Sequence, residues 1–167
     1  SILRDIVASL YRQGQRRLLI INGHGGNNFK NMMRDLTLEY PDFIIATSEW
    51  FKMTDAHPFF SHVGDHADEL ETSVMMHYHP ELVSLSEAGQ GDSRSFGIKA
   101  LSEGMVWIPR NWAKVSRDTG IGSPAKATAE KGARFAAAVV EKYVEFLADF
   151  ARVETIDDLY EPQSHNE

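Results

Sequence analysis

Cysteine is absent from this chain of 167 residues, which excludes disulfide bonds and thiolate metal sites. Any metal ion would have to bind histidine, aspartate or glutamate, a donor set that suits zinc, manganese or iron(II). The sequence also lacks an apolar run of the roughly 20 residues that a membrane-spanning helix needs, and its start lacks the pattern of a signal peptide. We therefore expect a cytoplasmic protein with no membrane partner.

Positive charge is also scarce. Lys and Arg total 17 against 24 Asp and Glu, so the formal net charge is −7, and the basic residues are scattered. Nucleic acids and anionic membranes bind concentrated basic patches, so we expect neither as a partner and favour a small-molecule substrate. With 43% hydrophobic residues, the composition is that of an ordinary globular protein, and we predict a single domain over residues 1–167.

The chain begins with Ser1 instead of Met, and a helical apolar pattern starts at once at Ile2. We interpret this start as a cut inside a larger protein. A natural N-terminus trimmed of its Met is the alternative.

Short apolar runs alternate with helical periodicity in the first third of the chain. A helix from Ile2 precedes a fully apolar strand at Leu18–Ile21, which is typical of a strand buried on both faces. A second helix is predicted over about residues 27–40, and Phe43–Ala46 reads as the next strand. This alternation predicts an α/β fold with a parallel sheet flanked by helices.

The remainder of the chain predicts two helices around an irregular region. One helix is expected from about His66 to His79, before Pro80. Residues 84–121 are rich in Gly and Ser and predict a long functional loop or short strands. The last helix is expected to be capped by Ser123, with Pro124 at its first position.

The first candidate site is the glycine-rich turn Asn22–Asn27, at the junction of a predicted strand and helix. Ligands of open α/β sheets collect at the carboxyl ends of strands. His24 would project there with a ring nitrogen available to a metal or a substrate. Two alternatives are an anion held at the helix N-terminus and a plain tight turn with a solvated histidine.

The second candidate site is the acidic segment Asp65–Ser73. Asp68 and Glu69 fit solvated acids that stabilise the first turn of a helix through its dipole. Glu71 fits this interpretation less well because it enters the apolar run at Val74. A buried carboxylate needs a partner, and a metal cation is a strong one, so we favour Glu71 as a ligand.

Together these segments resemble the creatininase (creatinine amidohydrolase) family. The resemblance rests on Asn22–Asn27, on His66–Ser73, and on Gly122–Pro124 followed by Ala127–Gly132, in the same order and spacing. It implies a three-layer creatininase-like fold with a mostly parallel central sheet. It also implies hydrolysis of C–N bonds, often in cyclic amides, two divalent metal ions (zinc, manganese or iron), and a homo-oligomer, often a hexamer.

The resemblance also implies roles for particular residues. His24 corresponds to a metal ligand. Creatininase has a second ligand, a glutamate, at the position of Gly26, and relatives with Gly-Gly here take a carboxylate from the position of Glu71. His66 corresponds to the catalytic histidine. Asp65 stands where creatininase has a glutamate beside that histidine, and this departure speaks against creatinine itself as the substrate.

The family's other ligands, a Glu-x-His pair and an Asp, would precede Ser1, because no Glu-x-His occurs before His24. The chain then corresponds to the C-terminal two-thirds of a family member.

The resemblance implies metal-activated water as the nucleophile. His66 would protonate the leaving nitrogen or stabilise the oxyanion, with Asp65 orienting its ring. Trp107 and Trp112 either wall the pocket or are ordinary core or interface aromatics. Two other functions stay open: hydrolysis of an N-formyl or keto-sugar substrate on the same architecture, and a non-catalytic module that binds an anion at the glycine-rich turn.

Overall fold

The computed structural model describes residues 1–162; the last five residues of the predicted domain lie outside this range. The chain divides into two compact units, one formed by Ser1–Thr54 with residues 141–162 and one by Asp55–Val140. The helices and strands are α1 (Ile2–Arg12), β1 (Arg17–Asn22), α2 (Lys30–Glu39), β2 (Ile44–Glu49), α3 (Glu69–Tyr78), α4 (Lys99–Ser102), α5 (Trp112–Val115) and α6 (Ala129–Phe150). Short 3₁₀ turns span Trp50–Lys52, Pro80–Leu82, Leu85–Glu87 and Ile156–Leu159.

The first unit contains a parallel β–α–β arrangement. Strands β1 and β2 pair in parallel, in a register that joins Arg17 to Ile44 and Asn22 to Glu49. The core beside them is formed by Val7, Leu36 and Phe43, which are all buried. The predicted α/β class with a parallel sheet is confirmed. The prediction that β1 is buried on both faces is wrong at Ile21, whose side chain is 55% exposed.

In the second unit, helix α3 starts three residues later than predicted. Ala67 has a positive φ of 48°, a conformation that no helix continues through. Asp68 therefore becomes the N-cap, and its carboxylate accepts a hydrogen bond from the backbone N–H of Glu71. The predicted segment is helical only from Glu69 to Tyr78.

The predicted start of the last helix is also wrong. Helix α6 begins at Ala129; Ser123 precedes a turn that starts at Pro124, whose carbonyl accepts from Ala127 N at 2.8 Å. The Thr128 hydroxyl accepts from Lys131 N at 3.2 Å, so Thr128 caps the helix.

Residues 84–121 are irregular, as predicted. Besides short helical turns, they contribute two isolated antiparallel bridges, Ser93 with Ser116 and Ile121 with His66. In the part of the chain that the structure describes, no helix is long and apolar enough to cross a membrane.

Candidate active site

The glycine-rich turn after β1 is organised by one buried asparagine. Asn22 is 4% exposed, and its carboxamide oxygen accepts from His24 N at 3.2 Å and from the Asn27 side chain at 3.1 Å. The Trp50 indole donates to the carbonyl of Gly23 at 3.3 Å. Buried side-chain hydrogen bonds thus fix the backbone that presents His24 at the carboxyl end of the strand.

Gly26 contacts the His24 ring directly. Its backbone N–H donates to His24 Nδ1 at 3.0 Å, and a Cβ at this position would meet the same nitrogen at 3.0 Å. A side chain at residue 26 would therefore crowd the imidazole. Because the Gly26 N–H uses the lone pair of Nδ1, a cation at this nitrogen would have to replace that donor.

In the second unit, the backbone of His66 is clamped by the segment that precedes α6. His66 N donates to Ile121 O at 3.1 Å, and Ile121 N donates to His66 O at 2.8 Å. Two glycines permit this approach, since a Cβ on Gly64 would meet the Cα of Gly122 at 2.7 Å. The left-handed residue Ala67 follows and directs the chain into α3.

Two carboxylates at the start of α3 hold the chain beside His66. Asp68 is 4% exposed and also accepts from Gly64 N at 2.6 Å. Glu71 Oε2 accepts from Ala67 N at 2.7 Å and lies 3.9 Å from His66 Nδ1. The structure thus brings His66 and Glu71 together, with the Glu71 side chain 35% exposed.

Asp65 pairs with a residue that the sequence did not single out. The guanidinium of Arg110 forms an ion pair with Asp65 at 2.5 Å and lies over the ring of Trp112, 4.8 Å from its centre. The ring of Trp112 is in turn 5.0 Å from that of His66. One lone arginine in an irregular segment gives no signal by which a sequence pattern could have found it.

The interpretation of Asp68 and Glu69 as solvated acids is wrong. Both are buried, and Glu69 is fully so. Its carboxylate accepts hydrogen bonds from Lys131 Nζ at 2.5 Å and from the backbone N–H groups of Ser61 and His62 at 3.0 and 2.9 Å. Burial alone would raise the pKa of Glu69, but the ammonium and the N–H donors outweigh burial and lower that pKa.

The donor types of the site residues fit a divalent metal ion. Imidazole and carboxylate are the ligands that zinc and manganese take in proteins without thiolates. Glu71 can accept the Ala67 N–H and still offer lone pairs to a cation. Within residues 1–162, however, no three His, Asp or Glu side chains are grouped so that they could hold an ion.

Comparison with known proteins identifies relatives for most of the chain. The family model for Creatininase, described as creatinine amidohydrolase, matches residues 1–147. The mycofactocin precursor peptide peptidase of Mycobacterium ulcerans (strain Agy99) is 32% identical over 137 residues, which make up 79% of this chain and 48% of that protein.

Solved structures agree with the sequence match. A candidate creatinine amidohydrolase from Bacteroides fragilis NCTC 9343 is 54% identical and superposes with a TM-score of 0.88 over 96% of this chain and 62% of that one. A creatinine amidohydrolase (creatininase) crystal structure, at 22% identity, gives a TM-score of 0.74 over 91% of this chain and 62% of that one.

These matches define the class as α/β proteins with the creatininase fold, which confirms the predicted architecture. The chain belongs to the creatininase family. It spans about half the length of the curated relative and 62% of the two solved structures described above.

Proposed function

We propose that the protein is a metal-dependent hydrolase of amide C–N bonds, acting on a cyclic amide or a related small molecule. The observation that carries this proposal is the pairing of His66 with Glu71 at the start of α3, within a family described by amide hydrolysis. Cleavage of an amide needs a proton donor for the leaving nitrogen, and an imidazole can supply that proton.

His24 and Glu71 are the residues that would hold metal in this proposal. A solved mutant creatininase is of the Zn-Zn type and another creatininase structure is a Mn form, which supports divalent ions as the cofactor. We propose two such ions, of zinc, manganese or iron. When bound, such ions supply Lewis acidity and lower the pKa of water. We expect a complete centre to include ligands other than these two.

His66 is the proposed proton carrier, and its surroundings suit that role. Its backbone is fixed by Ile121 and its ring lies 5.0 Å from the ring of Trp112, while its side chain is 29% exposed, so that solvent or substrate still reaches it. Asp65 is proposed to help orient the site through Arg110, with which it pairs at 2.5 Å.

Cleavage of a peptide bond is a second candidate reaction. The relative from Mycobacterium ulcerans is a peptidase, and a peptide bond is an amide that the same groups would cleave. A peptide substrate would need an extended groove, whereas a cyclic amide needs a compact pocket. A substrate panel that contains both separates them.

The test is turnover by the full-length protein, loaded with zinc or manganese, on cyclic amides and short peptides followed by mass spectrometry. We expect metal-dependent hydrolysis that His66→Ala lowers by roughly 10²–10⁴-fold while metal stays bound. His79→Gln is the matched control, because that side chain is 58% exposed and pairs with Glu81. Normal turnover in His66→Ala would show that His66 only packs against its neighbours.

We also propose that the full-length protein forms a homo-oligomer, with a hexamer as the expected state, and that its partner is a small-molecule substrate. Light scattering measures the mass directly. A monodisperse monomer would contradict the proposed assembly but would not bear on the proposed reaction.

A further inference from the structure

Three side chains form a continuous contact beside His66. The Arg110 guanidinium pairs with Asp65 at 2.5 Å and covers the Trp112 ring at 4.8 Å, and that ring lies 5.0 Å from the His66 ring at an angle of 59°. A cation within about 6 Å of an indole is attracted to its π face. Arg110 therefore holds the indole through a cation–π contact and is itself anchored by a carboxylate.

The segment that carries Trp112 is tied to His66 at both of its ends. Trp112 opens the short helix α5, and nine residues later Ile121 exchanges two backbone hydrogen bonds with His66. Between these ends, Val115 O accepts from Arg94 N at 2.8 Å, which adds a third attachment. The segment that carries the indole is thus attached at three points, two of which involve His66.

The held indole still presents surface to solvent. Trp112 is 37% exposed, whereas Trp107, five residues earlier, is 82% exposed. A fixed aromatic ring with an open part offers a flat apolar surface at low entropic cost. Trp107 is mostly exposed to solvent and is therefore a poorer candidate for a pocket wall than Trp112.

We propose that Trp112 forms the wall of a subsite that binds the planar ring of a cyclic amide beside His66, and that Arg110 is the positioning residue for this wall. This inference rests on the proposed function, since it concerns the same site. Offset stacking on the indole would place the ring's edge, with its amide nitrogen, next to the imidazole. Acyclic amides lack the extended planar surface and gain less from the wall.

The first test is ligand affinity of the metal-loaded full-length protein, with creatinine and succinimide as cyclic probes and N-methylacetamide as the acyclic probe. Trp112→Leu should weaken the cyclic probes roughly tenfold and leave the acyclic probe unchanged. Phe96→Leu is the matched control, because Phe96 is an aromatic of similar exposure, 39%, in the same irregular region. Equal cyclic-probe affinity in wild type and Trp112→Leu would overturn the proposal, as would a wild type with no preference for cyclic probes.

The second test addresses Arg110. Arg110→Gln removes the cation from an intact indole, so the cyclic-probe Kd should rise about threefold and the NMR signal of the His66 ring proton should shift as the indole moves. Arg110→Lys keeps the charge, so it should recover part of the wild-type affinity for the cyclic probes and move the His66 signal part of the way back. An unchanged Kd with an unchanged His66 signal would refute the positioning role, and this variant also decides the matter if Trp112→Leu does not fold.

Because both readouts are binding and geometry, they separate the two proposals. A protein that binds cyclic amides through Trp112 without hydrolysing them would refute the proposed reaction and leave the subsite standing. Hydrolysis of cyclic amides that is unaffected by Trp112→Leu would refute the subsite and leave the proposed reaction standing.

Discussion

At the scale of single residues, the acidic segment after Asp65 contains carboxylates with different tasks. Asp68 caps α3, Glu69 is buried against Lys131, and Glu71 faces His66. The sequence pattern separates Glu71 from Asp68 and Glu69, but it predicts that Asp68 and Glu69 are exposed to solvent. The error arises because Lys131 is 62 residues from Glu69, so the partner that permits its burial is not visible in the local pattern.

Glu69→Gln should destabilise the fold by about 2 kcal/mol at neutral pH, because it removes one partner of a largely buried ion pair. The lowered pKa of Glu69 sets the pH dependence. Its stabilisation is fully present above the ordinary Glu pKa of about 4.3 and is lost as pH falls through the lowered folded value. Urea unfolding at several pH values measures both effects.

The control for Glu69→Gln is Glu145→Gln. Glu145 forms an exposed ion pair with Lys142 three residues away, so the expected loss is below about 0.5 kcal/mol. A difference between Glu69→Gln and wild type that stays constant down to strongly acid pH would show that charge plays no part.

At the scale of elements, the sequence predicts the β–α–β arrangement well and the helix starts poorly. Strand β1 shows its apolar run directly, and the structure extends it by only one residue at each end. Ser123 and Thr128 are both acceptable caps, and the choice depends on a distant contact, Ser73 Oγ accepting from Thr128 N at 3.1 Å. Local propensity carries no information about such contacts.

The candidate site also contains residues that the sequence predicts and one that it could not predict. His24, His66 and Glu71 stand out because residue type and spacing are unusual for a plain turn or helix start. Arg110 could not be predicted, because its importance comes only from a contact with Asp65 that is 45 positions away in sequence. The roles of the predicted site residues stay predictions until the variants are measured.

Helices α3 and α6 meet where Gly132 faces the backbone of Ser73. A Cβ on Gly132 would lie 2.0 Å from the carbonyl oxygen of Ser73, and backbone cannot move aside as a side chain can. Gly132→Ala should therefore destabilise the fold by about 1–3 kcal/mol, despite the better helix propensity of Ala. Thermal unfolding measures this loss.

Gly97→Ala is the control for Gly132→Ala, because no atom lies within 4 Å of its Cβ position. We expect its unfolding free energy to stay within about 0.5 kcal/mol of wild type. A neutral Gly132→Ala would mean that the two helices are less closely packed than the structure shows.

At the scale of the whole molecule, the family assignment rests on a chain that spans only part of its relatives. The chain belongs to the creatininase family but covers 62% of the creatininase structure described above, and residues 1–162 group no three metal-binding side chains. The metal-dependent chemistry therefore stays a proposal about the full-length protein. Metal content tests this proposal most directly, because it can be measured without knowing the substrate.

The decisive measurement is the metal content of the full-length protein and its variants by elemental analysis. We predict up to two divalent ions per chain, loss of at least one in His24→Ala, and reduced metal affinity in Glu71→Gln. Asp68→Asn should retain the metal but lose about 1–3 kcal/mol of stability, because both carboxylate oxygens of Asp68 accept backbone N–H groups and the amide of Asn can accept only one of them. Unchanged metal content in both His24→Ala and Glu71→Gln would contradict metal binding by these two residues, and metal loss in Asp68→Asn alone would move the ligand to Asp68.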